Sequence, residues 1–249
     1  MGVGEAPAQA QSREILDVLT GVVKQTRWQR PPPRHTISVM ADGLLFAYTD
    51  PGSVPLDEFH DWYDNEHGPA RLTVPGIPAG YRFRAVDDAA PPWLAIYETT
   101  AGAVDSPEYQ ALAPSASARE KSVLSRLGLL DRRVYEQVSS DGAALERPGP
   151  ALMIVAISVP AALEGDMAAW YAQEHIPMLL AVPGWQRIRR YRLVAGTAPA
   201  WLSLHDVASA DVLDTPEYKA AASTPWRNRI VEAAIAREKR VFAFHKSFG

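Results

Sequence analysis

Trp62-Tyr63-Asp64-Asn65-Glu66-His67-Gly68-Pro69 returns, at an offset of 108 residues, as Trp170-Tyr171-Ala172-Gln173-Glu174-His175-Ile176-Pro177. The same offset carries Val74-Pro75-Gly76 onto Val182-Pro183-Gly184, Arg82 and Arg84 onto Arg190 and Arg192, and Pro92-Trp93-Leu94 onto Ala200-Trp201-Leu202. With one inserted residue, Ser106-Pro107-Glu108-Tyr109 becomes Thr215-Pro216-Glu217-Tyr218. Agreement at constant spacing over this length identifies a tandem duplication of a module of about a hundred residues.

Within each copy, short apolar runs read as strands: Leu44 to Tyr48, Tyr81 to Val86, Trp93 to Glu98 and Arg133 to Val138 in the first. Two helical stretches separate them. The first runs from Leu56 to a break at Gly68-Pro69, with Phe59, Tyr63 and His67 on one stripe. The second starts at Ser106-Pro107, a serine cap followed by proline at the first helical position. Strand, helix, strand, strand, helix, strand is the ferredoxin-like split βαβ order, so the fold class is α+β, two tandem βαββαβ modules. Such a sheet carries its helices on one face and leaves the other bare; two of them hide the bare faces by packing together. The expected layout is an N-terminal arm over 1–42, a first module over 43–140, a linker over 141–150 and a second module over 151–249. The arm holds a short amphipathic stretch from Arg13 to Thr26 and the stiff Pro31-Pro32-Pro33.

The chain has 249 residues, 47% hydrophobic and 22% charged, with a net charge of −4. This is ordinary globular composition. A mildly acidic chain without a basic patch gives no electrostatic footprint for nucleic acid. No apolar run approaches the ~20 residues that span a bilayer, so no membrane partner is expected. The absence of cysteine removes disulfides, thiolate nucleophiles and Cys-ligated metals, and suits a reducing, cytoplasmic setting. No HxxxH pair, phosphate-binding glycine loop or Gly-x-Ser-x-Gly elbow occurs, so neither a metal nor a nucleotide is expected.

Trp-Tyr-x-x-Glu-His-x-Pro, then Val-Pro-Gly, then an arginine-rich strand, resembles the EthD-like branch of the dimeric α+β-barrel superfamily. The resemblance extends from Gly43 to the C-terminus. Ser223-Thr224-Pro225-Trp226 looks like a further family signature in the second copy, where the first has Pro114. Most relatives carry one module and dimerise; this chain resembles a fused dimer, an intrachain dimeric α+β barrel that a further homodimer would not contradict. The resemblance implies a pocket in each module between helices and sheet, with the motif histidine beside it. Barrels of this type include cofactor-free cyclases, decarboxylases and oxygenases as well as haem proteins, so the reaction must come from the site.

His67 and His175 are the motif side chains able to exchange a proton near neutral pH, and each is a candidate acid or base or, on the bland alternative, a helix-end hydrogen-bonding group. Tyr63 and Tyr171 share their faces and could hold a substrate oxygen, or be core. Arg82, Arg84, Arg190 and Arg192 alternate along the second strand of each module and suit an acidic substrate if their face opens into the pocket, or form a solvated surface if it does not. Glu66 and Glu174 are expected to pair with those arginines. Trp62, Trp170 and Trp226 read as pocket wall or core. The copies differ: His205 stands where the first has Tyr97, and His60 matches Ala168. This favours the second pocket, where His175, Tyr171 and His205 could converge. The expected function is cofactor-independent acid/base catalysis on a small aromatic or polyketide-like molecule, with a cofactor-free monooxygenase, a haem protein ligated through a motif histidine and a non-catalytic carrier as alternatives.

Overall fold

The computed structural model describes residues 41–197 and 199–248. The expected arm over 1–42, with its helical stretch, lies outside the described residues but for Ala41 and Asp42. The first module comprises β1 (Gly43–Asp50), α1 (Leu56–Trp62), a π-helical turn (Tyr63–His67), α2 (Gly68–Leu72), β2 (Ala79–Ala85), β3 (Trp93–Thr99), α3 (Pro107–Gln110), α4 (Ala118–Leu124) and β4 (Leu129–Gly142). The second repeats it with β5 (Ala151–Ser158), α5 (Glu164–Trp170), a π-helical turn (Tyr171–His175), α6 (Ile176–Leu180), β6 (Trp185–Ala195), β7 (Trp201–Val207), α7 (Pro216–Ala221), α8 (Pro225–Glu232) and β8 (Ala236–Phe248).

The eight strands close into one antiparallel barrel in the order β1-β3-β2-β8-β5-β7-β6-β4, with β4 returning to β1. The fourth strand of each module therefore pairs with the second strand of the other, β8 on β2 and β4 on β6. Closure leaves no free sheet edge. β1, β3, β5 and β7 are buried on both faces, which explains their nearly continuous apolar runs, whereas β4 and β8 alternate with exposed residues along most of their length. Leu44, Phe46 and Tyr48 of β1 join Leu152, Ile154 and Phe242 inside the barrel, while Leu45 turns outward to the helices. Each module has its own helix-against-sheet core outside the shared interior.

Buried ion pairs tie the halves together. Asp206, fully buried, accepts from Arg187 Nε at 2.8 Å and from the Gly149 backbone N–H at 3.0 Å, and Arg189 reaches Glu98 across the modules at 3.1 Å.

Three local expectations need correction. The first helix does not end at Gly68-Pro69. It widens into a π turn, in which Gly68 N–H bonds Tyr63 O and, in the second copy, Ile176 N–H bonds Tyr171 O, and it continues as α2 and α6. A proline offers no N–H to the preceding turn, and the widened turn redistributes the hydrogen bonds so that the helix runs on. The second helix is split: Ser106 caps α3 as expected, but α4 begins anew at its own cap, Ser117. Finally, β4 extends to Gly142 because it must reach across to β6, so strand occupies the first residues of the expected linker. Gly76 and Gly184 of the repeated Val-Pro-Gly have φ of 88° and 90°, the left-handed geometry that glycine adopts without steric cost where the chain leaves the helix for the second strand.

Candidate functional site

The π turn projects the tyrosine and histidine of each motif into the layer between helices and sheet. In the first module the described side chains pack this layer around the histidine. His67 Nδ1 lies 2.7 Å from Glu120 Oε1, and Trp62 Nε1 donates to the other carboxylate oxygen at 2.6 Å. Burial, and then the Arg71 cation, push the His67 imidazole down to about 4 against the opposing pull of Glu120. Burial alone raises Glu120, but the hydrogen bond from His67, its charge, Arg71 and Trp62 overcome this and hold it at about 2. Near neutral pH a neutral imidazole thus donates Nδ1–H to a charged carboxylate. Arg82 is buried over the Tyr63 ring at 4.2 Å and ion-paired to Asp64. Phe248, from the last strand of the second module, packs into the same layer: its ring stacks near Tyr63 and Tyr97 and lies 2.6 Å from where a Cβ on Gly68 would fall.

The second module keeps the frame and leaves a cleft. Met153, Val155, Ile157, Leu179 and Val231 form apolar walls, Trp170, Tyr171 and His175 form one side, and Tyr218, Arg227, Arg237 and Lys239 the rim. His175 stacks on Trp170 at 4.3 Å, and its Nδ1 is buried without a hydrogen-bond partner. Burial, and then Arg227, push it down to about 3, opposed by a hydrogen bond to the Ala221 backbone. Ser203 Oγ donates to Tyr171 Oη at 3.3 Å, which leaves the phenolic proton free for another acceptor. Arg190 lies over the Tyr171 ring at 3.9 Å.

His205 sits beneath the cleft on β7, opposite Met153, with neither ring nitrogen bonded. Burial, then His175, Lys239 and Arg190, hold it well below the usual imidazole range. His175, Tyr171 and His205 therefore share one neighbourhood, with His205 behind the lining.

Other expected site residues fall elsewhere. Arg84 and Arg192 lie beyond the helices and are exposed, Arg192 with Glu164 at 3.9 Å, because the strands outrun the layer that covers their first arginines. Trp226 donates to Asp166 of α5 at 3.0 Å, packs against the core of the second module and is not among the residues lining the cleft. Trp62 is core, and His67 and Tyr63 border a filled space. Glu66 and Glu174 do not pair with the strand arginines; they accept from Ser117 and Thr224, the caps of α4 and α8, and so fasten each motif helix to the second helix. Asp64 holds Arg82 instead.

Those caps expose what sequence reading missed. Ser117 Oγ accepts from Glu120 N and Thr224 Oγ1 from Arg227 N, so Glu120 and Arg227 are equivalent. The signal was present in the paired N-caps, Ser117 and Thr224, each bonding the N–H three residues on, but the repeat spacing changes in the preceding loop and hides it. Phe248 gave no local signal.

Among the described residues no three of His, Asp or Glu gather as a metal site. Haem finds little room at either motif histidine among the described residues: the Phe248 ring packs on Gly68 and near Tyr63 beside His67, and Trp170 stacks on His175 at 4.3 Å.

No protein-family model and no curated protein sequence matches the chain. Solved structures match in fold. An anthrone oxidase-like protein superposes with TM-score 0.60 at 13% identity, over 84% of this chain and 94% of that one. A protein assigned as a monooxygenase from Lactobacillus acidophilus gives 0.50 at 10% identity, over 83% and 95%. One assigned as a chlorite dismutase gives 0.50 at 14%, over 82% and 93%. The shared architecture is the dimeric α+β barrel, here closed within a single chain.

Proposed function

We propose that the second module is the working site of an enzyme that removes a proton from a small aromatic or polyketide-like molecule without a bound cofactor, leading to decarboxylation, cyclisation, dehydration or isomerisation. The observation that carries this reading is His175 Nδ1, a buried nitrogen without a partner at the wall of an apolar cleft. Held at about 3, His175 is unprotonated near neutral pH and free to accept a proton. Charge arriving or developing on the substrate raises its basicity, since an anion favours the imidazolium. Tyr171, already accepting from Ser203, donates to a developing enolate oxygen, and Arg190 behind it stabilises the charge. The apolar walls exclude water and strengthen those contacts. The first module serves as the partner that closes the barrel. We place the protein in the cytoplasm, within the EthD-like branch on the strength of its motif.

A second reading, a cofactor-free monooxygenase, draws on the fold likeness to an anthrone oxidase-like protein. It begins with the same deprotonation and delivers the carbanion to dioxygen. The test is to incubate the full chain with enolisable aromatic ketones, hydroxyarenes and β-keto acids, in air and under nitrogen, and to follow products by mass spectrometry. Turnover that persists under nitrogen and falls roughly 10²–10⁴-fold in His175→Ala supports proton transfer. Turnover only in air moves the assignment to the oxygenase, and full turnover in His175→Ala overturns both.

A further inference from the structure

The two modules differ at the positions that set charge around the motif histidine. In the first, Glu120 bonds His67, and Asp64 neutralises both Arg82 and Lys246, the latter at 3.3 Å. In the second, Arg227 stands at the Glu120 position and Ala172 at the Asp64 position, so both acids are gone. Arg190, the counterpart of Arg82, is buried with no ion pair among the described residues; Asp141 acts on it only from beyond ion-pair distance. Among the described residues the Arg227 side chain bonds only Asn228 Oδ1 and Lys239 only Tyr218 Oη, and Arg237 at the same rim makes no ion pair. Three cations, the half-buried Arg227 and the exposed Arg237 and Lys239, thus line the cleft, with Arg190 buried over the Tyr171 ring, and among the described residues none of the four has a carboxylate partner. For the buried Arg190 and the half-buried Arg227, a cation withdrawn from water is costly unless something supplies the counter-charge, whereas the exposed Arg237 and Lys239 remain solvated and free to meet an incoming anion.

We propose that the ligand supplies it: the second module binds an organic oxyanion, a carboxylate or phenolate on an apolar frame, whose charged oxygen pairs with Arg227 and Lys239, the residues that select for charge, while the apolar frame lies in the cleft beside His175. This deepens the proton-transfer reading and rests on it for the choice of module. The first module acts as an internal template, since it shows the same tryptophan, tyrosine and histidine closed around an acid supplied by the chain itself.

The test uses benzoate, 4-nitrophenolate and the neutral benzamide, titrated calorimetrically into the full chain. Binding of either anion at roughly tenfold or greater preference over benzamide is the expected result, and which anion prevails identifies the acid. Arg227→Glu should reduce anion affinity by roughly tenfold or more. Ala172→Asp, at an exposed position, should do the same by restoring to Arg190 the counter-ion that Arg82 has, and it keeps the test informative if Arg227→Glu fails to fold. Equal binding of benzamide, binding of none of the three, or unchanged affinity in a folded variant would overturn the proposal. Equal binding with turnover still lost in His175→Ala would remove the charge assignment and leave proton transfer standing. Selective anion binding with full turnover in His175→Ala would do the reverse.

Discussion

Glu120 and Arg227 occupy the same position in the two modules, the third residue of a capped helix facing the motif histidine, and they carry opposite charge. That exchange, together with Ala172 in place of Asp64, replaces an internally satisfied acid–imidazole pair with a histidine whose Nδ1 has no partner among the described residues and with arginines that lack a carboxylate.

Removing that acid should be expensive in the first module. Glu120→Ala leaves the His67 and Trp62 donors without acceptors in a buried site, for a loss of about 2–4 kcal/mol. Glu120→Gln keeps an acceptor and should cost less than half as much. Urea denaturation of both variants measures the difference, and equal losses would show that the pair contributes nothing beyond packing.

Phe248 should behave as a structural plug. Its ring is 5% exposed and packs on Tyr63, Tyr97 and the bare Cα of Gly68, so Phe248→Ala opens a cavity at a cost of about 3–5 kcal/mol. Benzene should recover part of the lost thermal stability by filling the hole. Gly68→Ala tests the same contact from the other side and should destabilise by about 1–3 kcal/mol through overpacking.

Asp206 holds the linker and β6 together from a fully buried position. Asp206→Ala strands Arg187 without its carboxylate and should cost about 3–5 kcal/mol. Limited proteolysis checks the local consequence: cleavage should appear first between Gly142 and Ala151.

Acid should unfold the protein in two stages. His67, His175 and His205 are all depressed by burial. Below ~6.5 the unfolded chain binds protons on these imidazoles that the folded chain refuses, so stability falls with pH and the loss levels only near the folded values, about 4 and about 3 for the first two. Glu120 adds stability that is present above its ordinary range and is lost as pH falls through about 2. Urea midpoints should stay level from pH 8 to about 7 and decline from there to pH 3, and His205→Tyr, the side chain that the first module carries, should flatten the curve.

The duplication, the βαββαβ order and the closure of two sheets were legible in the chain because each depends on a periodic pattern: the repeat offset, the apolar runs and the capping serines. The motif tyrosines and histidines were legible for the same reason, as neighbours on one turn of helix. What the chain could not show in one dimension was which half retains a cleft. That depends on Phe248 arriving at Gly68 and Gly80 from the other module, on Asp64 and Glu120 meeting Arg82 and His67 across more than one element, and on the strand length that leaves Arg84 and Arg192 outside. Local sequence determines which way a side chain leaves its own helix or strand; only the packing of distant segments decides whether it meets a counter-charge, an aromatic plug or open space.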